Sequence, residues 1–224
     1  MNVLLIGASR GIGLELARQY LDAGDRVIAT ARDQAGLDLL KTLGAQTIQL
    51  DVTKPASISG LSWRLDGEKL DVAIYVAGVF GTESAKSPPT QQAFDHMLHT
   101  NVLGAMQAIP QVAPWVEEAD GQFAFVTSDL GCISEASGSY AWLYRTSKAA
   151  LNMAVVAAQP DYPRARFALI HPGWVKTDMG TSAAPLAVED SAAGIRNTLH
   201  KLKQQARPAQ VPFVQWDGTV FTTW

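Results

Sequence analysis

The chain has 224 residues, of which 47% are hydrophobic and 17% charged, and its formal net charge is −3. This length predicts a single α/β domain over residues 1–224, and the lack of a basic run argues against a nucleic-acid-binding surface. The one cysteine, Cys132, excludes an intrachain disulfide, and no apolar segment reaches the roughly 18 residues of a membrane span. These features favour a cytoplasmic protein without nucleic-acid or membrane partners.

Short apolar segments alternate with longer amphipathic ones along the chain. The apolar segments predict strands over 3–6, 27–30, 47–50, 72–76, 123–127, 167–170 and 211–215. The amphipathic segments predict helices over 12–23, 35–43, 90–116, 140–158 and 188–203, with a kink or break at Pro110. Because helices separate the strands, the pattern predicts a Rossmann-like doubly wound parallel sheet of about seven strands with helices on both faces. The segment 177–185 is rich in small residues and predicts a mobile loop or lid.

A glycine-rich sequence joins the first strand to the first helix. It reads Gly7-Ala8-Ser9-Arg10-Gly11-Ile12-Gly13, in the order G-x-x-x-G-x-G. Glycines let the backbone approach a ligand closely, and the helix N-terminus that follows offers free N–H groups to a pyrophosphate. We therefore expect a dinucleotide cradle here, formed by Gly7, Ser9, Arg10, Gly11, Ile12 and Gly13. The alternative is a tight turn without a ligand; no Gly-Lys-Ser/Thr follows, which excludes a nucleoside triphosphatase loop.

The ends of the second and third strands should face the adenosine half of such a ligand. The second strand ends in Thr30-Ala31-Arg32, without the acidic residue that commonly holds a ribose 2′-OH. Arg32, with Arg10, can instead bind a 2′-phosphate, which favours NADP(H) over NAD(H), unless both are merely solvated charges. After the third strand come Asp51 and Val52; Asp51 either accepts a hydrogen bond from adenine or caps the next helix, and both alternatives stay open.

Tyr144 and Lys148 lie four residues apart on a predicted helix and therefore share one face. A nearby ammonium favours a phenolate, which would suit Tyr144 to proton exchange near neutral pH. Ser128 follows the fifth strand, at the edge where such sheets bind ligands, and its hydroxyl can hold a substrate carbonyl. Asn101 is a polar residue in an apolar helix: it either holds a water that relays protons to Lys148 or is a buried, satisfied amide.

Together these positions resemble the short-chain dehydrogenase/reductase family over essentially the whole chain. The resemblance rests on the three glycines, Asp51, Asn101, Ser128, Tyr144-x-x-x-Lys148, and Pro172-Gly173 followed by Thr177. It implies hydride transfer between nicotinamide and a small carbonyl or alcohol substrate. Tyr144 would be the acid/base, Ser128 the carbonyl holder, Lys148 the ribose ligand that lowers the pKa of Tyr144, and Asn101 part of a proton relay. Further cofactor contacts would come from Ala77, Gly78, Pro172, Gly173, Val175 and Thr177.

Within the family, the segments 144–153, 176–180 and 217–224 are similar to the C-factor and Sniffer-like carbonyl reductases. Two departures stand out. Tyr75-Val76 replaces the Asn-Asn that usually precedes Ala-Gly, and the interval from Ser128 to Tyr144 is longer than usual. Tyr140 lies closer to Ser128, but Tyr144 rather than a lysine stands four residues later, so Tyr140 is rejected as the acid/base. Asp129 is an unusual neighbour of Ser128 that either steers substrate charge or caps a turn.

The remaining residues narrow the function. The four histidines form no ligand cluster, so no metal site is expected, and Ser128 lacks the surroundings of a hydrolase nucleophile. The leading hypothesis is an NADP(H)-dependent oxidoreductase; the alternative is a non-enzymatic NADP(H)-binding regulatory or signalling protein. The family resemblance implies a homodimer or homotetramer. Two alternatives stay open for five further residues: they either form an apolar wall of the substrate pocket or serve ordinary packing. These are Cys132, Trp142, Leu143, Trp174 and Met179.

Overall fold

A seven-stranded, all-parallel sheet organises the chain, in a computed structural model that describes residues 1–224. The strands stand in the order β3-β2-β1-β4-β5-β6-β7. Their bounds are Asn2–Ile6 (β1), Arg26–Ala31 (β2), Gln46–Gln49 (β3), Val72–Tyr75 (β4), Gln122–Val126 (β5), Arg166–His171 (β6) and Phe213–Gln215 (β7). The order reverses beside β1, where Val3 pairs with Val27 on one side and with Val72 on the other. In a doubly wound sheet, ligands bind at this reversal point.

Helices cover both faces of the sheet. Their bounds are Gly11–Asp22 (α1), Gln34–Thr42 (α2), Pro55–Ser59 (α3), Leu61–Arg64 (α4), Gln91–Leu98 (α5), Gly104–Glu117 (α6), Trp142–Ala158 (α7) and Val188–Gln204 (α8). Alternate residues of each strand enter two separate cores: Leu4 and Ile6 lie in one, Val3 and Leu5 in the other. This two-sided burial explains why the strands are apolar throughout. No helix combines the length and the apolar character that crossing a bilayer requires.

The long helix predicted over 90–116 is interrupted, but not where the sequence predicted. A π-helical turn over His99–Leu103 separates α5 from α6, and α6 then runs without a break through Pro110. The expected break at Pro110 is therefore wrong. Pro110 is exposed, so the carbonyl that its ring leaves without a partner lies on the solvent side of the helix. The actual irregularity contains Asn101.

Two short helices, α3 and α4, were not predicted, because each is too short to show a helical period. Their stronger sequence signal is the spacing of Ile58, Leu61 and Leu65, all of which are buried in one of the two cores. Pro55 at the first turn of α3 is a second, weaker signal, since its missing N–H would have no helical partner there.

Candidate active site

The glycine loop brings the ends of β1 and β4 into close contact. Gly7 has φ of +89°, and a Cβ atom placed on it would lie 2.8 Å from the backbone of Ala77. Gly13 lies in the first turn of α1, where a Cβ would meet the Gly7 carbonyl oxygen at 2.5 Å. Glycine at position 7 therefore lets two strand ends meet, and glycine at position 13 seats the helix on the loop. A side chain at either position would displace the backbone.

A cleft of about 290 Å³ follows this loop along the carboxyl edge of the sheet. It brings together most of the predicted cofactor residues: Gly7, Ser9, Arg10, Gly11, Ile12, Arg32, Asp51, Val52, Ala77, Gly78, Tyr144, Lys148, Pro172 and Thr177. The predicted residues that do not line it are Gly13, Asn101, Ser128, Gly173 and Val175. Cleft residues that the sequence reasoning missed include Asp33, His96, Thr100, Thr127 and Asp178. An elongated ligand with phosphates at its centre fits this lining.

The two predicted 2′-phosphate ligands stand at one end of the cleft with their charges weakly paired. The Arg32 side chain is 69% exposed, with Nε 3.8 Å from a carboxylate oxygen of Asp33. Arg10 is 63% exposed and lies 3.7 Å from Asp178. Asp33 uses Oδ1 to accept the Gly36 N–H at 2.9 Å and cap α2, and Oδ2 is the oxygen that faces Arg32. Both guanidinium groups are therefore free to turn toward an anion.

Asp51 does not cap the helix that follows it. Its Oδ1 accepts hydrogen bonds from the backbone N–H and the hydroxyl of Thr53, at 3.0 and 2.7 Å, while Lys54 stands at the N-cap of α3. Burial acts to raise the pKa of Asp51, but the Thr53 hydrogen bonds and Lys54 hold it below its usual value. The carboxylate is therefore ionised and fixed at the cleft wall, as an adenine acceptor needs to be.

Tyr144 and Lys148 face the other end of the cleft from consecutive turns of α7. Lys148 Nζ lies 5.6 Å from the centre of the Tyr144 ring and donates to the Val126 carbonyl oxygen at 2.9 Å. Burial lowers the pKa of Lys148 to about 8. Burial raises the pKa of Tyr144, the Ser128 hydroxyl lowers it and Asp129 raises it further. The pKa of the Tyr144 phenol is therefore set mainly by burial in this structure, and the lowering expected from Lys148 is not seen.

Ser128 lies two residues after the end of β5 and is the N-cap of a one-turn 3₁₀ helix over Asp129–Gly131. Its Oγ accepts the Leu130 N–H at 3.1 Å and donates to Asp129 Oδ1 at 2.8 Å. Ser128 does not line the cleft, and its hydroxyl acts to lower the pKa of the Tyr144 phenol, against the larger effect of burial. The hydroxyl of Ser128 is therefore shared with Asp129, a contact that the sequence did not predict.

Asn101 is fully buried in the π-helical turn, and its side-chain amide is satisfied by protein atoms. Oδ1 accepts the Val79 N–H at 2.8 Å, while Nδ2 donates to the Val79 carbonyl and to Ser147 Oγ, both at 2.9 Å. The side-chain amide is thus buried and satisfied, whereas the proton relay through Asn101 stays a prediction. Asn101 holds the segment after β4 against α7, and a Cβ on Gly78 would lie 3.4 Å from its Oδ1 and 3.7 Å from Lys148 Nζ.

The segment after β6 closes the cleft with a turn. Gly173 has φ of +84°, and Val175 is buried and pairs with Leu186 in an isolated bridge, so both shape the segment from behind. Within 177–185, Thr177 Oγ1 accepts the Gly180 N–H at 3.1 Å. A Cβ on Gly11 would lie 3.3 Å from the Thr177 methyl group. The turn therefore rests directly on the glycine loop.

The expected pocket wall divides into two groups. Cys132 and Leu143 are buried core residues, whereas Trp142, Trp174 and Met179 are partly exposed, and of these Met179 lines the cleft. Phe80, which the sequence reasoning missed, packs edge-on against Tyr144 with ring centres 4.9 Å apart. No group of three His, Cys, Asp or Glu side chains is arranged to hold a metal ion.

Comparison with known proteins gives the family. The short chain dehydrogenase family model matches residues 1–186. A 1-hydroxy-2-glutathionyl-2-methyl-3-butene dehydrogenase of Rhodococcus sp. (strain AD45) is 30% identical over 228 residues, which cover 96% of this chain and 99% of that protein.

Two solved structures share the fold. A short-chain dehydrogenase/reductase from Burkholderia multivorans with bound NADP and the carbonyl reductase Sniffer of D. melanogaster each superpose with a TM-score of 0.89 and 28% identity, covering 100% of this chain and 99% of the other. The predicted doubly wound fold and the resemblance to Sniffer-like carbonyl reductases are confirmed. The chain belongs to the short-chain dehydrogenase family of oxidoreductases.

Proposed function

We propose that this protein is an NADP(H)-dependent reductase or dehydrogenase for small carbonyl or alcohol substrates, with Tyr144 as general acid/base and NADP(H) preferred over NAD(H). One observation carries the proposal: a single cleft is lined by the glycine loop with Arg10, by Arg32 after β2, and by Tyr144 and Lys148 of α7. A phosphate-rich dinucleotide would run from Arg32 over the glycine loop to Tyr144, with its nicotinamide ring beside the phenol.

The residues present fit such a cofactor. The first turn of α1 carries no acidic residue, so its free N–H groups and the loop backbone would hold the pyrophosphate. Arg10 and Arg32 would bind the 2′-phosphate, and Asp51 the adenine. Lys148 would contact the nicotinamide ribose, with Pro172 and Thr177 beside the nicotinamide. When bound, the cofactor supplies or accepts the hydride.

The chain's own residues would manage the substrate oxygen and its proton. In reduction, Ser128 donates a hydrogen bond to the carbonyl oxygen, and the Tyr144 phenol transfers its proton to that oxygen as the alcohol forms. The resulting phenolate is reprotonated from solvent. Lys148, with a pKa of about 8, holds a positive charge near neutral pH that favours this intermediate state. In oxidation the same phenolate takes the proton of the alcohol.

The preference for NADP(H) is supported by charge at the adenosine end. None of Thr30, Ala31 and Arg32 is acidic. Asp33, which follows them and also lines the cleft, caps α2 through Oδ1, and Arg10 and Arg32 give that lining two cations. The Burkholderia multivorans protein, similar over the whole chain, was solved with bound NADP. The test is a fluorescence titration of the purified protein with NADPH and, separately, with NADH. Tight binding of NADPH alone supports the proposal; equal binding of both overturns the preference, and no binding of either overturns the function.

The reaction is tested by following NADPH oxidation in the presence of a panel of aldehydes and ketones, with 9,10-phenanthrenequinone as a reactive probe. The partly exposed apolar groups near Tyr144, which include Phe80 and Met179, suit an apolar carbonyl compound. Failure to reduce any carbonyl, together with failure to oxidise any alcohol with NADP⁺, would contradict an enzymatic role.

We also propose a cytoplasmic homodimer or homotetramer. Phe94 of α5, Met106 of α6 and Met153 of α7 are large apolar side chains that lie exposed on the helices around Tyr144. Such groups are commonly covered by a second subunit. Light scattering on the purified protein tests this: a monomer at micromolar concentration would contradict it.

A further inference from the structure

A second cavity lies at the amino ends of the strands, on the edge of the sheet opposite to the candidate active site. Its volume is about 240 Å³, and its wall consists of residues from α1 and α8 and of the first residues of β4 and β5. It shares no lining residue with the cofactor cleft. At about 3.3 Å per strand residue, the length of β4 and β5 places the two cavities roughly 15 Å apart.

Two polar side chains in the wall of this cavity are buried without a hydrogen-bond partner in the protein. Gln122 is 3% exposed and Tyr20 is 2% exposed. Neither the Gln122 side-chain amide nor the Tyr20 hydroxyl proton is donated to a protein atom. Because burying an amide or a hydroxyl without a hydrogen bond costs free energy, such groups normally have a partner. Here the partner has to come from the cavity.

Arg196 of α8 brings a positive charge to the same wall. Its Cζ lies 4.7 Å from the centre of the Tyr20 ring, so the guanidinium covers the ring. Its Nε is buried and has no hydrogen-bond partner, and Arg196 forms no ion pair. A guanidinium fixed on an aromatic ring presents its N–H groups in one plane, which matches the two oxygens of a carboxylate.

The other charged residues of the lining favour an anion that carries a single charge. His200 and Lys203 lie exposed on α8 at the rim, and Lys203 Nζ donates to the Asp120 carbonyl oxygen at 2.6 Å. Asp71 is the one carboxylate in the lining, and its Oδ2 accepts the Asn2 N–H at 2.7 Å. A doubly charged phosphate would be repelled by Asp71 about twice as strongly as a carboxylate at the same distance.

We propose that this cavity is a second binding site, which takes a small organic monocarboxylate with a short apolar body. The carboxylate would accept hydrogen bonds from Arg196, Tyr20 and Gln122. The apolar body would pack against Val72 and Leu199, which are buried in the same wall. Since the cavity lies across the sheet from the cleft, the inference does not depend on the proposed reaction.

The test is a titration of ¹⁵N-labelled protein with benzoate, followed in ¹H–¹⁵N NMR spectra. The reporting signals are the Gln122 side-chain amide and the Arg196 Nε–H, which are assigned by their loss in Gln122→Met and Arg196→Gln. We expect benzoate to shift both signals in a saturable way. Benzamide has nearly the same shape without the charge, and we expect it to bind at least about tenfold more weakly.

Two variants test the wall independently. Arg196→Gln removes the charge, and Gln122→Met removes the amide at nearly the same volume. Each should weaken benzoate binding by about tenfold or more, measured on the signal that remains, and urea denaturation shows whether each variant is folded. Lys201→Gln is the matched control, because it removes one positive charge from an exposed position of α8 that does not line the cavity. It should bind benzoate like the parent.

Three results would overturn the proposal. Benzoate causes no saturable shift, or binds no better than benzamide, or binds Arg196→Gln and Gln122→Met as tightly as the parent. Shifts confined to the backbone amides of Ala77 and Gly78 would place benzoate in the cofactor cleft and would overturn it as well. Inorganic phosphate is titrated in parallel, and tighter binding of phosphate than of benzoate would contradict the assignment to a monocarboxylate. None of these measurements uses turnover, so they decide the role of this cavity even if no carbonyl or alcohol substrate is found.

Discussion

The phenol of Tyr75 donates a hydrogen bond to the carbonyl oxygen of Thr100 across 2.9 Å, inside the core. Tyr75 stands where the family usually has an asparagine, so a longer side chain here reaches the π-helical turn that carries Asn101. Room for it comes from Gly104, where a Cβ would lie 2.6 Å from the Tyr75 hydroxyl oxygen. The tyrosine thus ties the end of β4 to the same turn from which Asn101 holds Val79.

Replacing Tyr75 with Phe should lower stability, because the Thr100 carbonyl loses its side-chain donor in a buried place. We expect about 1–2 kcal/mol less free energy of unfolding in urea denaturation. Tyr162→Phe is the control, since its partly exposed hydroxyl donates no hydrogen bond within the protein and should change stability little. A Tyr75→Phe protein as stable as the parent would show that the hydrogen bond contributes nothing.

Much of the fold could be predicted from the sequence, because strands that are buried on both faces consist of continuous apolar residues. All seven strands were predicted to within a few residues. The interruption at His99–Leu103 was not, because a π-helical turn adds one residue to a helix without changing its composition. The interruption was predicted at Pro110 instead, but an exposed proline is tolerated in a long helix. The sequence shows where a helix-breaking residue lies, whereas tertiary packing decides where the helix is interrupted.

The sequence predicted which residues belong to the candidate site but not the hydrogen bonds between them. Tyr144, Lys148 and the glycine loop are linked by short spacings along the chain, so their juxtaposition follows from helix and loop geometry. The contacts of Ser128 with Asp129 and of Asp129 with His171 join β5 to β6, 42 residues apart in the case of Asp129 and His171. The direction of a hydroxyl proton and the neutrality of a buried imidazole depend on such neighbours, and no spacing rule reports them.

Changing Tyr144 to Phe should separate binding from turnover. Tyr144 is buried at one end of the cleft and contacts Phe80, so the phenylalanine ring keeps the packing and loses only the hydroxyl. NADPH affinity should stay within about twofold, whereas kcat should fall by a factor on the order of 10² or more. Fluorescence titration and NADPH oxidation are the two measurements. A variant that keeps the biological role of the parent without turnover would favour a regulatory protein over an enzyme.

Changing Arg32 to Asp should weaken NADPH binding by about 10- to 100-fold and leave NADH binding nearly unchanged. The guanidinium is exposed and weakly paired, so its loss affects stability little, while a carboxylate there repels a 2′-phosphate. Lys41→Asp makes the same charge change at the far end of α2 and away from the cleft, so it controls for net charge. Equal losses for both nucleotides, measured in parallel fluorescence titrations, would defeat the assignment of Arg32.

Changing Lys148 to Met should alter how stability depends on pH. Burial lowers the pKa of Lys148 from 10.5 to about 8, so between these values the unfolded chain binds a proton that the folded protein does not. Stability from this group therefore rises as pH increases from about 8 to 10.5 and is lowest below 8, where the parent bears a penalty on the order of 3 kcal/mol. Loss of the Val126 hydrogen bond offsets part of that penalty in the variant. Urea denaturation of parent and variant at pH 7 and pH 9.5 should show the stability difference shifting toward the parent at the higher pH. A difference that is the same at both values would mean that Lys148 stays charged in the folded protein.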